Sequence, residues 1–347
     1  MKSFEPKFLQ AIKIPHQIVG MIRQIGEYKG KQELYRKQAP EMLENLRQIA
    51  VIQSTESSNR LEGITADRKR IEAILAEKAR PENRSESEIA GYRDVLNTIH
   101  SNSTHIPVNK RVVLQLHRDL MKYSGKEGGK WKSTANEISE ILPDGSKHIR
   151  FVPVEPFLTA EYMETLHNRF NDNLLQQTLD ALLLIPVYIL DFLCIHPFLD
   201  GNGRMARLLT VLLLYHQGYD VGRYISLERI VEQSKDSYYE TLYKSSVGWH
   251  SAQHNVLPWI EYFLSTILAA YREFENRVSA VSSGPGSKME MVNSAIGSFL
   301  GEFTLSELEQ ACPAVGKDWI RKLLQRLKSE GKIEIIGKGR YARWKKI

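Results

Sequence analysis

The chain has 347 residues, 42% hydrophobic and 25% charged, a length that predicts about two domains and a balance that excludes a disordered or fibrous protein. Its net charge of +6 is too modest for this length to argue by itself for nucleic acid. Cys194 and Cys312 are 118 residues apart, which excludes a cysteine metal cluster or a disulfide framework and fits a reducing compartment. The segment Met1 to Pro6 lacks a basic stretch followed by an apolar one, so no export signal is expected. The longest apolar tract, Ala181 to Phe198, is broken by Pro186, Asp191 and His196 and falls short of the roughly 20 residues that span a bilayer. The expectation is a cytoplasmic, mainly α protein without a membrane partner.

From Glu41 to Leu61, Met42, Leu43, Leu46, Ile49, Ala50 and Ile52 recur at helical spacing behind Pro40. The second half of this helix carries eight consecutive polar residues, Gln53 to Arg60. Two readings stay open: a solvated face, or a helix end aimed at a polar site. Gly63 suits a C-terminal cap, and Thr65 can start a further helix over Ile71, Ile74 and Leu75.

Helical patterns follow over Glu88 to Ile99, Arg111 to Tyr123 and Pro156 to Asn171. Between the last two, Ile138 to Leu142 and Lys147 to Val152 flank the turn signal Pro143-Asp144-Gly145, which predicts a β-hairpin. Leu179 to Ile195 is apolar nearly all round, the pattern of a helix in the middle of a bundle.

Ser282 to Ser287 reads as a linker. Beyond it come a helix over Met291 to Leu300, a capping box Thr304-Leu-Ser-Glu307 opening another, and a third over Lys317 to Glu330. A hairpin through Gly337 to Arg340 completes a predicted winged-helix module. From Gly316 to Ile347 there are 11 Lys and Arg against 3 Asp and Glu, so the chain's basicity is concentrated here.

The chemistry-bearing segment is His196-Pro-Phe-Leu-Asp200-Gly-Asn-Gly-Arg204-Met-Ala-Arg207. Pro197 and the glycines break the apolar helix, and Met205, Leu208, Leu209 and Leu212 resume it. The loop Asp200 to Gly203 therefore lies at a helix N-terminus, whose free amides form an anion site. Arg204 and Arg207, three apart, are expected to reach the same polyphosphate. Asp200 suits a hard cation such as Mg²⁺, and His196 a general base. Gly201 to Ala206 also fits the dinucleotide fingerprint, but the preceding helix and the lack of a βαβ pattern argue against it. A calcium loop fails because Arg204 and Met205 stand where a ligand and a glycine are needed.

His-Pro-Phe-x-Asp-Gly-Asn-Gly-Arg-x-x-Arg resembles the signature of the Fic (filamentation induced by cAMP) family at every fixed position. Ser58-Asn-Arg-Leu-Glu62-Gly63 is similar to the family's inhibitory motif, Ser/Thr-x-x-x-Glu-Gly/Asn. The resemblance extends in architecture over the whole chain, although only these two motifs are specific. It implies a Fic-type helical bundle with a β-hairpin flap and a small C-terminal winged-helix domain. The expected divisions are an N-terminal helical region with the inhibitory helix (1–95), the catalytic core (96–280), a linker (281–288) and the winged helix (289–347).

The resemblance further implies an autoinhibited protein adenylyltransferase that moves AMP from ATP to a Tyr, Thr or Ser hydroxyl of a target protein or of itself. His196 would take the hydroxyl proton, Asp200 hold Mg²⁺, and Gly201, Asn202 and Gly203 stabilise the α-phosphate. Arg204 would meet the β-phosphate and Arg207 the γ-phosphate. Ser58, Glu62 and Gly63 would form the brake, Glu62 pairing with Arg207. The flap, with Ile138, Ile141, Ile149 and Phe151, would align the target chain, and Tyr238 and Tyr239 would border adenine or belong to the core. Homodimers are common in the family. Arg321, Lys322, Gln325, Arg326, Lys338 and Arg340 are the candidate DNA contacts. His250 and His254, four apart, lack a third ligand and are not read as a metal site. Two alternatives remain: a Fic relative using another nucleotide or phosphate donor or removing AMP, and a winged-helix DNA-binding regulator whose core senses nucleotide.

Overall fold

The computed structural model describes residues 3–347 except 39, 76–77, 142–143, 283–286, 300, 313–314 and 338–341. Its main body is helical: α1 (Pro6–Ala11), α2 (His16–Gln38), α3 (Pro40–Leu61), α4 (Arg68–Leu75), α5 (Arg84–Asn102) and α6 (Lys110–Leu120) precede a hairpin. The hairpin pairs β1 (Ile138–Ile141) with β2 (Lys147–Phe151), and α7 (Pro156–Gln176), α8 (Ala181–Ile195), α9 (Asn202–His216), α10 (Leu227–Gln233), α11 (Lys235–Ser246) and α12 (Leu257–Ser282) follow. The long helices α2 and α12 were not foreseen as elements. They pack against each other.

The all-round apolar segment is α8, and it packs against α7, α9 and α12. Leu182, Leu184, Ile185, Tyr188, Phe192 and Ile195 are fully enclosed, each such side chain contributing about 2 kcal/mol by leaving water. Caps fix where helices begin: Asn83 accepts from the Glu86 amide, Asn109 from Val112, and Asp180 from Leu182, each cap worth about 1 kcal/mol. These caps set the axial register of α5, α6 and α8 beside the signature loop.

The polar run on α3 is not solvated. Ser54, Thr55, Ser57, Ser58 and Asn59 are all buried. Ser54 donates to Glu228 (2.6 Å), which also accepts from Tyr92 (2.9 Å), and Arg60 pairs with Glu232 (2.6 Å). The helix ends as its glycine predicts: Gly63 has φ 73°, and the Ile64 amide reaches back to the Asn59 carbonyl (2.9 Å).

A second core lies between Met291 and Trp344, around Val292, Phe303, Leu308, Ile320, Leu324 and Ile333. It is built from α13 (Ser287–Ser298), β3 (Phe303–Thr304), α14 (Leu305–Ala311), α15 (Lys317–Ser329), β4 (Ile333–Ile336) and β5 (Arg343–Lys346), in a three-stranded sheet of order β3-β5-β4. Thr304 and Glu307 form the expected capping box. α14 packs against α3. The expected division at 95/96 falls inside α5, whose Tyr92, Val95, Leu96 and Ile99 share the main core. Of the expected linker, 281–282 extend α12 and 287–288 begin α13, while 283–286 lie outside the described residues. Among the described residues no helix is long and apolar enough to cross a membrane.

Candidate functional site

The signature spans the break between α8 and α9. His196 caps α8 with φ 50°, a left-handed conformation rare for a residue with a side chain. Its Nδ1 lies 3.3 Å from the Leu193 carbonyl. A nitrogen facing a carbonyl carries the proton, so Nε2 keeps its lone pair. Burial, with Lys132 adding to it, pushes the imidazole down to about 4, so it is neutral near pH 7.

Residues outside the signature hold this loop. The Lys132 amide donates to the Pro197 carbonyl (2.8 Å), and its Nζ to Ile195 (3.1 Å) and Asn136 Oδ1 (2.8 Å). Asn136 Nδ2 donates to the carbonyls of His196 (3.3 Å) and Phe198 (3.0 Å). Phe198 is fully buried, as expected of a core residue, and stacks on His117 with centroids 3.6 Å apart. His117 Nδ1 accepts from the Gly129 amide (3.0 Å), which leaves Nε2–H to donate to the Asp200 carbonyl (3.1 Å). One ring thus joins the Asp200 loop to the loop Ser124 to Lys130. None of these residues carries a local sequence signal; only the glycines at 125, 128 and 129 mark the loop.

Asn202 sits differently from its expected role. Its Oδ1 accepts from the Phe198 amide (2.9 Å) and its Nδ2 donates to the Phe198 carbonyl (2.7 Å), so the side chain staples the turn. Gly201 (φ 81°) presses on Met121, where a Cβ would stand 2.6 Å from Cε. The first intrahelical bond of α9 runs from Met205 to the Gly201 carbonyl (2.9 Å), which leaves the amides before it to the anion site.

A carboxylate already stands at that site. A Cβ on Gly203 would lie 2.2 Å from Glu62 Oε1. The same oxygen accepts from Arg207 Nη2 at 2.7 Å, while Arg207 Nε and Nη2 donate to Ser58 Oγ (2.8 Å) and its carbonyl (2.9 Å). Burial works against the charged guanidinium, but Glu62 beside it holds it protonated above its ordinary range.

Arg204 and Arg207 do not share a target. Arg204 is 1% exposed and pairs with Glu88, equally buried, at 2.8 Å, with Asp200 at 3.4 Å. Glu88, which no local motif marks, also pairs with Arg84 (2.8 Å). Asp200 stays half-exposed at the mouth, in contact with Lys126 and 3.8 Å from Arg84. Burial would raise its carboxyl, and its hydrogen bond from Lys126, together with the nearby charge of Arg204, more than offsets this, holding it below the usual range and ionised.

Tyr238 is buried among Tyr239, Trp259 and Tyr262, and Tyr239 donates to the Leu61 carbonyl (3.2 Å) at the end of α3. The hairpin pairs Ile138 with Phe151 and Ile141 with Lys147, with Ile149 exposed and Phe151 stacked on His250; nothing is described of the Ile141 side chain. His250 and His254 have separate partners, Val152 and Ser3, and no metal cluster occurs among the described residues. Arg321, Lys322, Gln325 and Arg326 are exposed on α15, while Lys338 and Arg340 lie outside the described residues.

Residues 107–214 match the family model of the Fic/DOC family. The protein adenylyltransferase Fic of Nematostella vectensis is 29% identical over 212 residues, 57% of this chain and 44% of that protein. The protein adenylyltransferase fic-1 of Caenorhabditis elegans is 25% identical over 137 residues, 39% of this chain and 24% of that protein. The chain thus covers less than half the length of these curated relatives. Among solved structures, a Fic family protein from Desulfovibrio desulfuricans matches 97% of both chains with a TM-score of 0.62 at 20% identity. A Fic domain containing signaling protein from Bacteroides thetaiotaomicron matches 74% of this chain and 97% of its own with a TM-score of 0.63 at 22% identity. These likenesses show the fold.

Proposed function

We propose that this chain, whose residues 107–214 match the Fic/DOC family, is a protein adenylyltransferase held inactive by the end of α3 and the Glu62 that follows it. The observation that carries the reading is the Glu62 carboxylate seated over Gly203 and on Arg207. A carboxylate there marks a place built for negative charge, and it removes the cation that a terminal phosphate of ATP needs.

When Glu62 withdraws, Arg207 and the α9 amides are free to hold the triphosphate. A target hydroxyl aligned along the hairpin edge attacks the α-phosphorus, and its proton passes to Nε2 of His196. The new oxygen–phosphorus bond forms as the bond to pyrophosphate breaks, leaving AMP on the target. The Leu193 carbonyl holds His196 in the tautomer this step requires. Asp200, ionised and half-exposed, suits a hard cation whose other positions go to phosphate and water. Bound Mg²⁺ would offset the triphosphate charge. Arg204, closed off by Glu88, acts in this reading as the rear support of Asp200.

The test is label transfer from ATP to the Glu62→Gly protein. Label from the α-phosphate stays on protein and label from the γ-phosphate does not. Transfer of the γ label would replace the reading with another phosphate donor chemistry. We read the C-terminal unit as a winged helix whose face of Arg321, Lys322, Gln325 and Arg326 meets DNA, on the exposure of that face. Salt-independent or absent DNA binding would count against it.

A further inference from the structure

We infer that Lys126, outside the signature, is a contact for the outer phosphates of the nucleotide. The inference rests on the adenylyltransferase reading of the same site. Three cations converge on Asp200: Lys126 in contact with Oδ2, Arg204 at 3.4 Å and Arg84 at 3.8 Å. Arg204 and Arg84 share Glu88 behind them. Three positive charges against two carboxylates leave the mouth of the loop with an excess positive charge, as an entering polyphosphate requires. Of the three, Arg204 is enclosed and Arg84, though more exposed, is held by Glu88 at 2.8 Å and stands 3.8 Å from Asp200, whereas Lys126 is 36% exposed at the rim and in contact with Asp200. Its neighbour Glu127 is taken by Lys130. An ammonium has three donors and Asp200 does not use them all.

The loop that carries Lys126 is more constrained than an exposed ion pair warrants, since such a pair contributes at most about 1 kcal/mol. Gly125 and Gly129 have φ 71° and 78°. A Cβ on Gly128 would stand 2.8 Å from the Arg118 Cα, and one on Gly129 3.0 Å from the Leu114 carbonyl. Through Gly129 and His117 the loop is bonded to the Asp200 carbonyl. The position of Lys126 is therefore tied to the anion site. An anion reaching the α9 N-terminus past Asp200 comes within reach of this ammonium.

The experiment is calorimetric binding of ATP and of AMP, with and without Mg²⁺, to the Glu62→Gly/His196→Ala protein, in which transfer is disabled. The same titrations follow for that protein carrying Lys126→Ala or Lys126→Arg. Lys126→Ala weakens ATP about tenfold and leaves AMP within about twofold, and Lys126→Arg retains most of the ATP affinity. An ATP affinity unchanged by Lys126→Ala, or ATP and AMP weakened alike, overturns the inference while leaving the adenylyltransferase reading in place. If the parent protein binds no ATP, the reading itself fails and the inference falls with it.

Discussion

Glu62 Oε1 lies 2.7 Å from Arg207 Nη2, bringing a residue just past the end of α3 onto a helix 145 positions later in the chain. The contact is charge-assisted and its guanidinium is buried, the setting in which such a bond contributes about 2 kcal/mol. Ser58 supplies two of the hydrogen bonds on the same guanidinium, one from its side chain.

Ser58→Ala should therefore release the brake in part. Losing one hydrogen bond of about 1 kcal/mol raises the initial rate of AMP transfer about fivefold over wild type, below the rate of Glu62→Gly. A rate equal to wild type would mean that the hydroxyl does not help hold Arg207.

On the proposed reading, the pH profile of Glu62→Gly follows from His196. Burial, with Lys132, depresses its pKa to about 4, and a general base acts only when unprotonated. In the Glu62→Gly background kcat/KM should stay level from pH 8 down to about 5.5 and fall below that. An apparent pKa at or above the ordinary value of about 6.5 would contradict the placement of this ring.

Asn202 is committed to the turn, with both ends of its amide on Phe198. Asn202→Ala should cost about 2 kcal/mol of stability, read as a lowered melting temperature, together with lost transfer. Loss of transfer with an unchanged melting temperature would return the side chain to the phosphate.

Acid should unfold this protein early. Burial holds the buried imidazoles of His117, His167 and His254 at about 4 and that of His100, with Arg223 near it, at about 3. Unfolded histidine takes up its proton near 6.5. Between these values the unfolded chain binds more protons, so stability is full above about pH 6.5 and is lost as pH falls toward 4. Asp191, raised by burial to about 7, works in the opposite sense, one group against these four and His196, which burial also holds at about 4. The melting temperature should fall steadily from pH 6.5 to 4.5; a level curve there would contradict it.

The hairpin, the central helix α8, the Gly63 helix end and the Thr304–Glu307 capping box were legible, because each is written in a short run of residues; the meeting of Glu62 with Arg207 was legible only through the resemblance of two separated motifs. The placement of the loop Asp200 to Gly203 at the start of α9 was legible for the same reason. What stayed hidden depends on partners far apart in the chain. Ser54 and Ser58 look like a solvated face until Glu228, which also takes Tyr92, and Arg207 are brought to them. Arg204 reads as a phosphate ligand until the buried carboxylate of Glu88 closes on it. Lys132, Asn136 and His117 each resemble any other polar residue, and only tertiary packing aims them at backbone atoms of the signature loop.

In the proposed reading Glu62, with Ser58 supporting it on Arg207, stands between this site and AMP transfer. The most direct measurement is the intact mass of wild type, Glu62→Gly and Glu62→Gly/His196→Ala after incubation with ATP and Mg²⁺. The single variant should gain one AMP or more, wild type little and the double variant none. A gain in wild type equal to that of Glu62→Gly, or one that survives loss of His196, would contradict that reading.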